Sequence, residues 1–234
     1  MPGPAYRIVT PQLVIRCYNP QDAPLLAKSV TESLEHLLPW MPWAAAEPEP
    51  LDAKVERLRR MRSNFDLGLD YVYGIFNQQE NRLLGSTGLH TRIGSDALEI
   101  GYWIHKDHIN HGYATETSAE LTNVAFEIHK VERVEIHCSV ENSRSAAVPR
   151  KLGFNLEATL RKRSFAYGHL SDQMIWSLFS DEYPNTPQPG WKAPRTMRQK
   201  GAFYEHSSST YGGLSCRPKN GSPASSPVAA FPCG

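Results

Sequence analysis

The residues best placed to do chemistry fall in two short stretches of this chain. His108-Ile-Asn-His-Gly-Tyr-Ala-Thr115 lies between an apolar run ending at Ile104 and an amphipathic segment, so it reads as strand, loop and helix start. The first backbone N–H groups of a helix lack intrahelical acceptors, and the helix dipole favours negative charge there, so these groups can converge on an anion. Gly112 can take a positive φ and let the backbone approach a ligand, Asn110 tolerates a left-handed conformation, and Ala114 is small. Taken alone, such a loop fits an ordinary turn as well as a phosphate site. The second stretch, Val140-Glu-Asn-Ser-Arg-Ser145, reads as a strand end and a helix capped by Asn142, with Ser145 in its first turn. Capping alone would account for Asn142, and a bond to the backbone alone for Ser145.

Other reactive side chains carry less. His105, His108 and His111 are three apart, but Asp107 is the one carboxylate among them and no cysteine joins them, so solvated loop histidines are expected rather than a metal site. Cys138 falls on the same strand face as Val134, Ile136 and Val140 and reads as a buried structural thiol. Cys17, Cys138, Cys216 and Cys233 form no Cys-x-x-Cys pair, which argues against a disulfide framework and for a reducing, cytoplasmic setting.

The elements that must position these groups alternate along the chain. Leu13 to Cys17 is expected as a first strand, followed by a helix capped by Asp22 and carrying Leu25, Leu26 and Val30. Leu51 to Phe65 is an amphipathic helix with Val55, Leu58 and Met61 on one face. Tyr71–Phe76 and Leu83–Leu89 flank a hairpin turn, and Leu98 to His105 is the next strand. Thr115 to Lys130 is the central helix, with Leu121, Val124, Ala125 and Ile128 on one face and His129 and Lys130 suited to its C-terminal dipole. A strand through Val134–Val140, a helix over residues 143–152 stopped by Gly153, and a hairpin of Phe165–Gly168 with Asp172–Phe179 complete the set. The pattern predicts an α/β fold.

Residues 1–12 read as an N-terminal extension, 13–183 as the folded domain, and 184–234 as a Pro/Gly/Ser-rich tail expected to be disordered, with docking of Trp191, Phe203 or Tyr204 a minor alternative. A net charge of +1 on 234 residues gives no strong electrostatic footprint for nucleic acid. No apolar run reaches membrane-spanning length, and Met1-Pro-Gly-Pro lacks a secretory pattern.

The two stretches together resemble the GNAT superfamily of N-acetyltransferases. Glu99-Ile-Gly-Tyr-Trp-Ile104, Tyr113-Ala-Thr-Glu116, Asn142, Ser145 and Gly153-Phe154 are similar to the branch of ribosomal-protein N-terminal acetyltransferases. The resemblance covers roughly residues 14–179. It implies a mixed, mostly antiparallel sheet whose central strands splay apart, flanked by helices. It implies acetyl-CoA as cosubstrate, no metal, and direct transfer to a primary amine, either a protein N-terminus or a small molecule. The cofactor would be held by Trp103, Ile104, Asn110, His111, Gly112, Tyr113, Ala114, Thr115 and Asn142. Glu99 is the expected base, against a purely structural strand glutamate, and Ser145 the expected proton donor to the thiolate. Trp40 and Trp43, in Pro39-Trp-Met-Pro-Trp43, would line the acceptor site; core or dimer packing is the bland alternative, and related enzymes are often homodimers. The chain departs from the pattern at Ile109, where the family carries Arg or Gln, and at Ser164, where the ribosomal-protein branch carries an acid. A non-catalytic acyl-CoA-binding module is the competing reading, disfavoured by Glu99 and Ser145.

Overall fold

The computed structural model describes residues 4–186. The region from 187 on, including most of the expected tail with Cys216 and Cys233, lies outside the described residues. Among them the elements are β1 (Arg7–Val9), β2 (Leu13–Cys17), α1 (Ala23–Leu37), α2 (Leu51–Asp66), β3 (Tyr71–Asn77), β4 (Leu83–His90), β5 (Ala97–Ile104), α3 (Tyr113–Val124), β6 (Arg133–Ser139), α4 (Ser143–Lys151), β7 (Asn155–Ala166) and β8 (His169–Phe179). They build one eight-stranded sheet in the order β1-β2-β3-β4-β5-β6-β8-β7. Every neighbouring pair is antiparallel except β5 and β6.

Strand side chains alternate between faces, so each apolar strand feeds two layers. Leu13 and Ile15 of β2, Leu98 and Ile100 of β5, and Val134 and Ile136 of β6 pack with Leu121 and Val124 of α3 and with Ala125 just after it. Val14 and Phe76 face Leu26 and Val30 of α1 and Leu58 of α2. Helices therefore flank a mixed sheet, as expected.

The break in that sheet matters most for function. β5 and β6 pair over Ala97, Leu98 and Glu99 alone, against Arg133, Val134 and Glu135. Beyond Glu99 the remaining five residues of β5 have no ladder partner on that side, which leaves backbone groups free on the strand that carries Trp103 and Ile104.

Several local expectations differ. Residues 7–9, inside the stretch read as an extension, form edge strand β1 against β2. Asp22 sits at the N-cap of α1, but its carboxylate is taken by Arg16, at 2.8 and 2.9 Å, and by the Asn19 amide, at 2.8 Å. With Arg16 and the Asn19 amide both on it, the carboxylate is not left to accept from the first amides of α1. The central helix stops being regular at Val124 and continues as a π-helical turn, Ala125–His129, ending at left-handed Lys130. There His129 packs 4.4 Å from the Tyr71 ring, and burial pushes its pKa down to about 4, so it is neutral and adds nothing to the dipole. Val140 follows the end of β6 and is exposed. β7 begins at Asn155, well before the predicted Phe165. Pro149 is accommodated within α4, and Gly153 closes that helix with φ +81°.

Candidate active site

The anion loop folds as its residue types require. Asn110 (φ +63°) and Gly112 (φ +81°) both take the left-handed conformation, and Gly112 is the N-cap of α3. Nothing lies within 4 Å of the place a Cβ on Gly112 would occupy, so the backbone angle, and not crowding, demands glycine there. Tyr113, Ala114 and Thr115 form the first turn, with amides that have no intrahelical acceptor.

Asn142 caps α4 by accepting a 3.0 Å bond from the Ser145 amide through Oδ1. This cap aims Ser145 at β5, where its Oγ lies 3.1 Å from the Tyr102 hydroxyl. Burial raises the Tyr102 pKa strongly, which the Ser145 bond only partly offsets, so the phenol stays protonated. Cys138 is buried beside them, and burial pushes its thiol up to about 11, consistent with a structural thiol.

A cleft of about 590 Å³ connects these parts. Trp40, Trp103, Ile104, Asn110, Gly112, Tyr113, Ala114, Thr115, Asn142 and Ser145 all line it. His111, expected with them, is exposed and stacks on Tyr113 at 5.5 Å. Trp43 lies outside the cleft but packs on Trp103, with ring centroids 6.3 Å apart. Residues that sequence reasoning passed over complete the walls. Arg144 and Lys151 of α4 bring positive charge, and His36 comes from α1. Tyr167, at the β7–β8 turn, meets Trp40 at 4.8 Å while its amide bonds to the Pro39 carbonyl at 2.9 Å. The spacing of Arg144 and Lys151 on the helix carrying Ser145 was a usable signal; the Tyr167 contact joins residues more than a hundred apart and had none.

Glu99 does not line this cleft. It is buried on the opposite face of β5 from Tyr102, and both of its oxygens accept from Arg92, at 2.7 and 2.8 Å. His137 Nδ1 is 3.7 Å away. Burial would raise the Glu99 pKa, but the Arg92 hydrogen bonds and the His137 and Arg92 charges hold it below the usual carboxylate range. His105 bonds to Glu32 at 3.0 Å, and among the described residues no group of three His, Cys, Asp or Glu side chains could hold a metal ion.

The family described as acetyltransferase (GNAT) domain matches residues 12–155. The chain belongs to the GNAT acetyltransferases. It is 30% identical over 184 residues to YdaF of Bacillus subtilis (strain 168), described as a "putative ribosomal N-acetyltransferase", covering 75% of this chain and 95% of that protein. Among solved structures it is similar to RimL, a ribosomal L7/L12 alpha-N-protein acetyltransferase in complex with coenzyme A. That match has a TM-score of 0.68 at 22% identity and covers 75% of this chain and 98% of the other. It is also similar to the microcin C7 self-immunity acetyltransferase MccE in complex with acetyl-CoA and AMP, with a TM-score of 0.66 at 19% identity, covering 73% and 93%. At these identities the two structures speak for the fold. As a GNAT member the protein is an N-acetyltransferase that uses acetyl-CoA. Its own residues fit that donor: free amides at α3, cationic Arg144 and Lys151, and an unpaired stretch of β5 against which an extended arm can add as a strand.

Proposed function

We propose that this acetyltransferase modifies the amine of a peptide or protein N-terminus, by direct attack on the thioester in a ternary complex. The observation that carries the reading is the continuity of one cleft from the start of α3, past Ser145 and Tyr102, to the wall formed by Trp40 and Tyr167. The similarity to YdaF supports a ribosomal protein as the class of acceptor, and such a substrate suits a cytoplasmic enzyme.

In this reading Tyr113, Ala114 and Thr115 hold the diphosphate by their backbone amides, while Trp103, Ile104 and the side-chain Nδ2 of Asn142 hold the pantetheine arm. Ser145 donates a proton to the departing thiolate and is resupplied through Tyr102, whose raised pKa keeps it a donor. Trp40, backed by Tyr167, receives the acceptor, and Trp43 supports Trp103 from behind. Glu99 stays ionised and supplies a fixed negative field for an incoming ammonium.

The test is an acceptor screen with purified protein and acetyl-CoA, in which peptides differing at their first residues compete with small-molecule amines and products are read by mass spectrometry. Acetylation confined to peptide α-amines is expected. Acetylation of small amines alone would overturn the acceptor assignment.

A further inference from the structure

We propose that His90, held by Asp70, is the general base that deprotonates the acceptor amine; this rests on the direct-transfer reading above.

The strand register makes the case. Gly88 of β4 and Gly101 of β5 stand directly opposite one another, next to the pair His90–Glu99. On the face that carries His90, two facing glycines leave a bare patch of backbone. The His90 ring fills it: a Cβ on Gly88 would fall 2.8 Å from its Nε2 and Cε1, and a Cβ on Gly101 3.2 Å from its Nε2. Side chains are therefore absent from both strands where the imidazole lies. Its Nδ1 is 2.8 Å from Asp70 Oδ1, just ahead of β3. A carboxylate on Nδ1 fixes the tautomer with the proton there, leaving the Nε2 lone pair over Gly101. The side chain is partly open, at 20% exposure.

Gly101 is also where the sheet parts. It lies two residues past Glu99, the last β5 residue paired to β6, and two before Trp103 on the cleft wall. Tyr102 between them points to the other face, toward Ser145. The two proton-handling groups thus flank the gap from opposite faces: Ser145 and Tyr102 for the leaving thiol, His90 for the entering amine. Glu99, on the same face as His90, is saturated by Arg92 and is the poorer base.

The protons balance. His90 Nε2 takes one proton from the acceptor ammonium and passes it to solvent. The freed amine forms the C–N bond, the C–S bond breaks, and the second proton lost by nitrogen ends on the CoA sulfur by way of Ser145. The charged groups around the imidazole are Asp70 ahead of β3, Arg92 after β4, Glu99 on β5 and His137 on β6.

Steady-state kinetics on the full chain, with an amine that the wild type acetylates, test the assignment. His90→Gln, polar but unable to take the proton, should lower kcat about 100-fold while leaving the KM for acetyl-CoA within about threefold. His90→Ala should regain at least about tenfold with added imidazole, a rescue that a structural role does not produce. Asp70→Asn, which keeps the size of the side chain, should lower kcat about tenfold without a shift in Tm and decides the matter if the His90 variants fail to fold. A kcat within about threefold of wild type in folded His90→Gln, no response of folded His90→Ala to imidazole, or an unchanged kcat in Asp70→Asn would each overturn it. A wild type that acetylates no amine would instead contradict the direct-transfer reading.

Discussion

Ser145 is positioned by a hydrogen bond to Asn142, and its bond to Tyr102 supplies the proton relay of the proposed mechanism. Ser145→Ala should therefore lower kcat by about 10²-fold and leave the KM for acetyl-CoA nearly unchanged, because α4 keeps its Asn142 cap while the proton relay is cut. His129 makes a prediction of a different kind. Its folded pKa of about 4 lies below the ordinary 6.5, so the unfolded chain binds the extra proton. The associated stability is fully present above pH 6.5 and is lost as pH falls toward 4, up to about 3 kcal/mol. Thermal denaturation from pH 7 to pH 4 should show Tm dropping more steeply in wild type than in His129→Gln; parallel curves would refute the linkage. From sequence, His129 looked like a charge at a helix end. Nothing local in the sequence shows that the π-helical turn seats it on Tyr71, fifty-eight residues earlier.

At the level of elements, the α3 entry and the α1–α2 connection can be tested separately. Gly112→Ala forces a side chain into φ +81°, costing about 1 kcal/mol in a place with ample room, and should weaken acetyl-CoA binding while the acceptor KM stays put in a two-substrate analysis. The α1–α2 connection is anchored by Lys54 of α2, whose ammonium bonds to both oxygens of Glu47 at 2.5 and 2.7 Å, with both side chains 2% exposed. Lys54→Met leaves the buried Glu47 carboxylate with the Glu49 amide at 2.8 Å and Arg57 at 3.9 Å in place of its closest cation, at a cost of about 3 kcal/mol. Because Trp40 and Trp43 lie in this connection, the same variant should raise the acceptor KM more than the acetyl-CoA KM, and adding Glu47→Gln should recover part of the lost Tm. The sequence placed α2 well because Val55 and Leu58 keep helical spacing, yet it gave no sign that Lys54 is buried, since lysine at that spacing reads as solvent-facing. β7 was illegible for a related reason. It is an edge strand whose Glu157, Arg161, Lys162 and Arg163 are exposed, so no apolar alternation marks it.

Across the whole molecule, the sheet works as a partition. The start of α3 lines one cleft with Arg144, Lys151 and Ser145 of α4, and His90 and Glu99 lie on the opposite face of the sheet from Tyr102. The parting of β5 from β6 beyond Glu99 is where the two faces communicate. The local conformation of the proposed donor loop was readable because it depends on short motifs, in which Gly112, Asn110 and Asn142 each declare a backbone conformation. The acceptor half was not, because Trp40 meets Tyr167 and Gly88 meets Gly101 only after folding brings distant segments together. In the proposed mechanism acetyl passes directly from donor to amine across this partition. Initial-rate kinetics of CoA thiol release, with acetyl-CoA and a peptide amine varied together, tests it most directly. Direct transfer gives intersecting double-reciprocal lines, thiol release equal to acetylated peptide, and no thiol burst without the acceptor. Parallel lines with an acetylated enzyme recovered by mass spectrometry would contradict it.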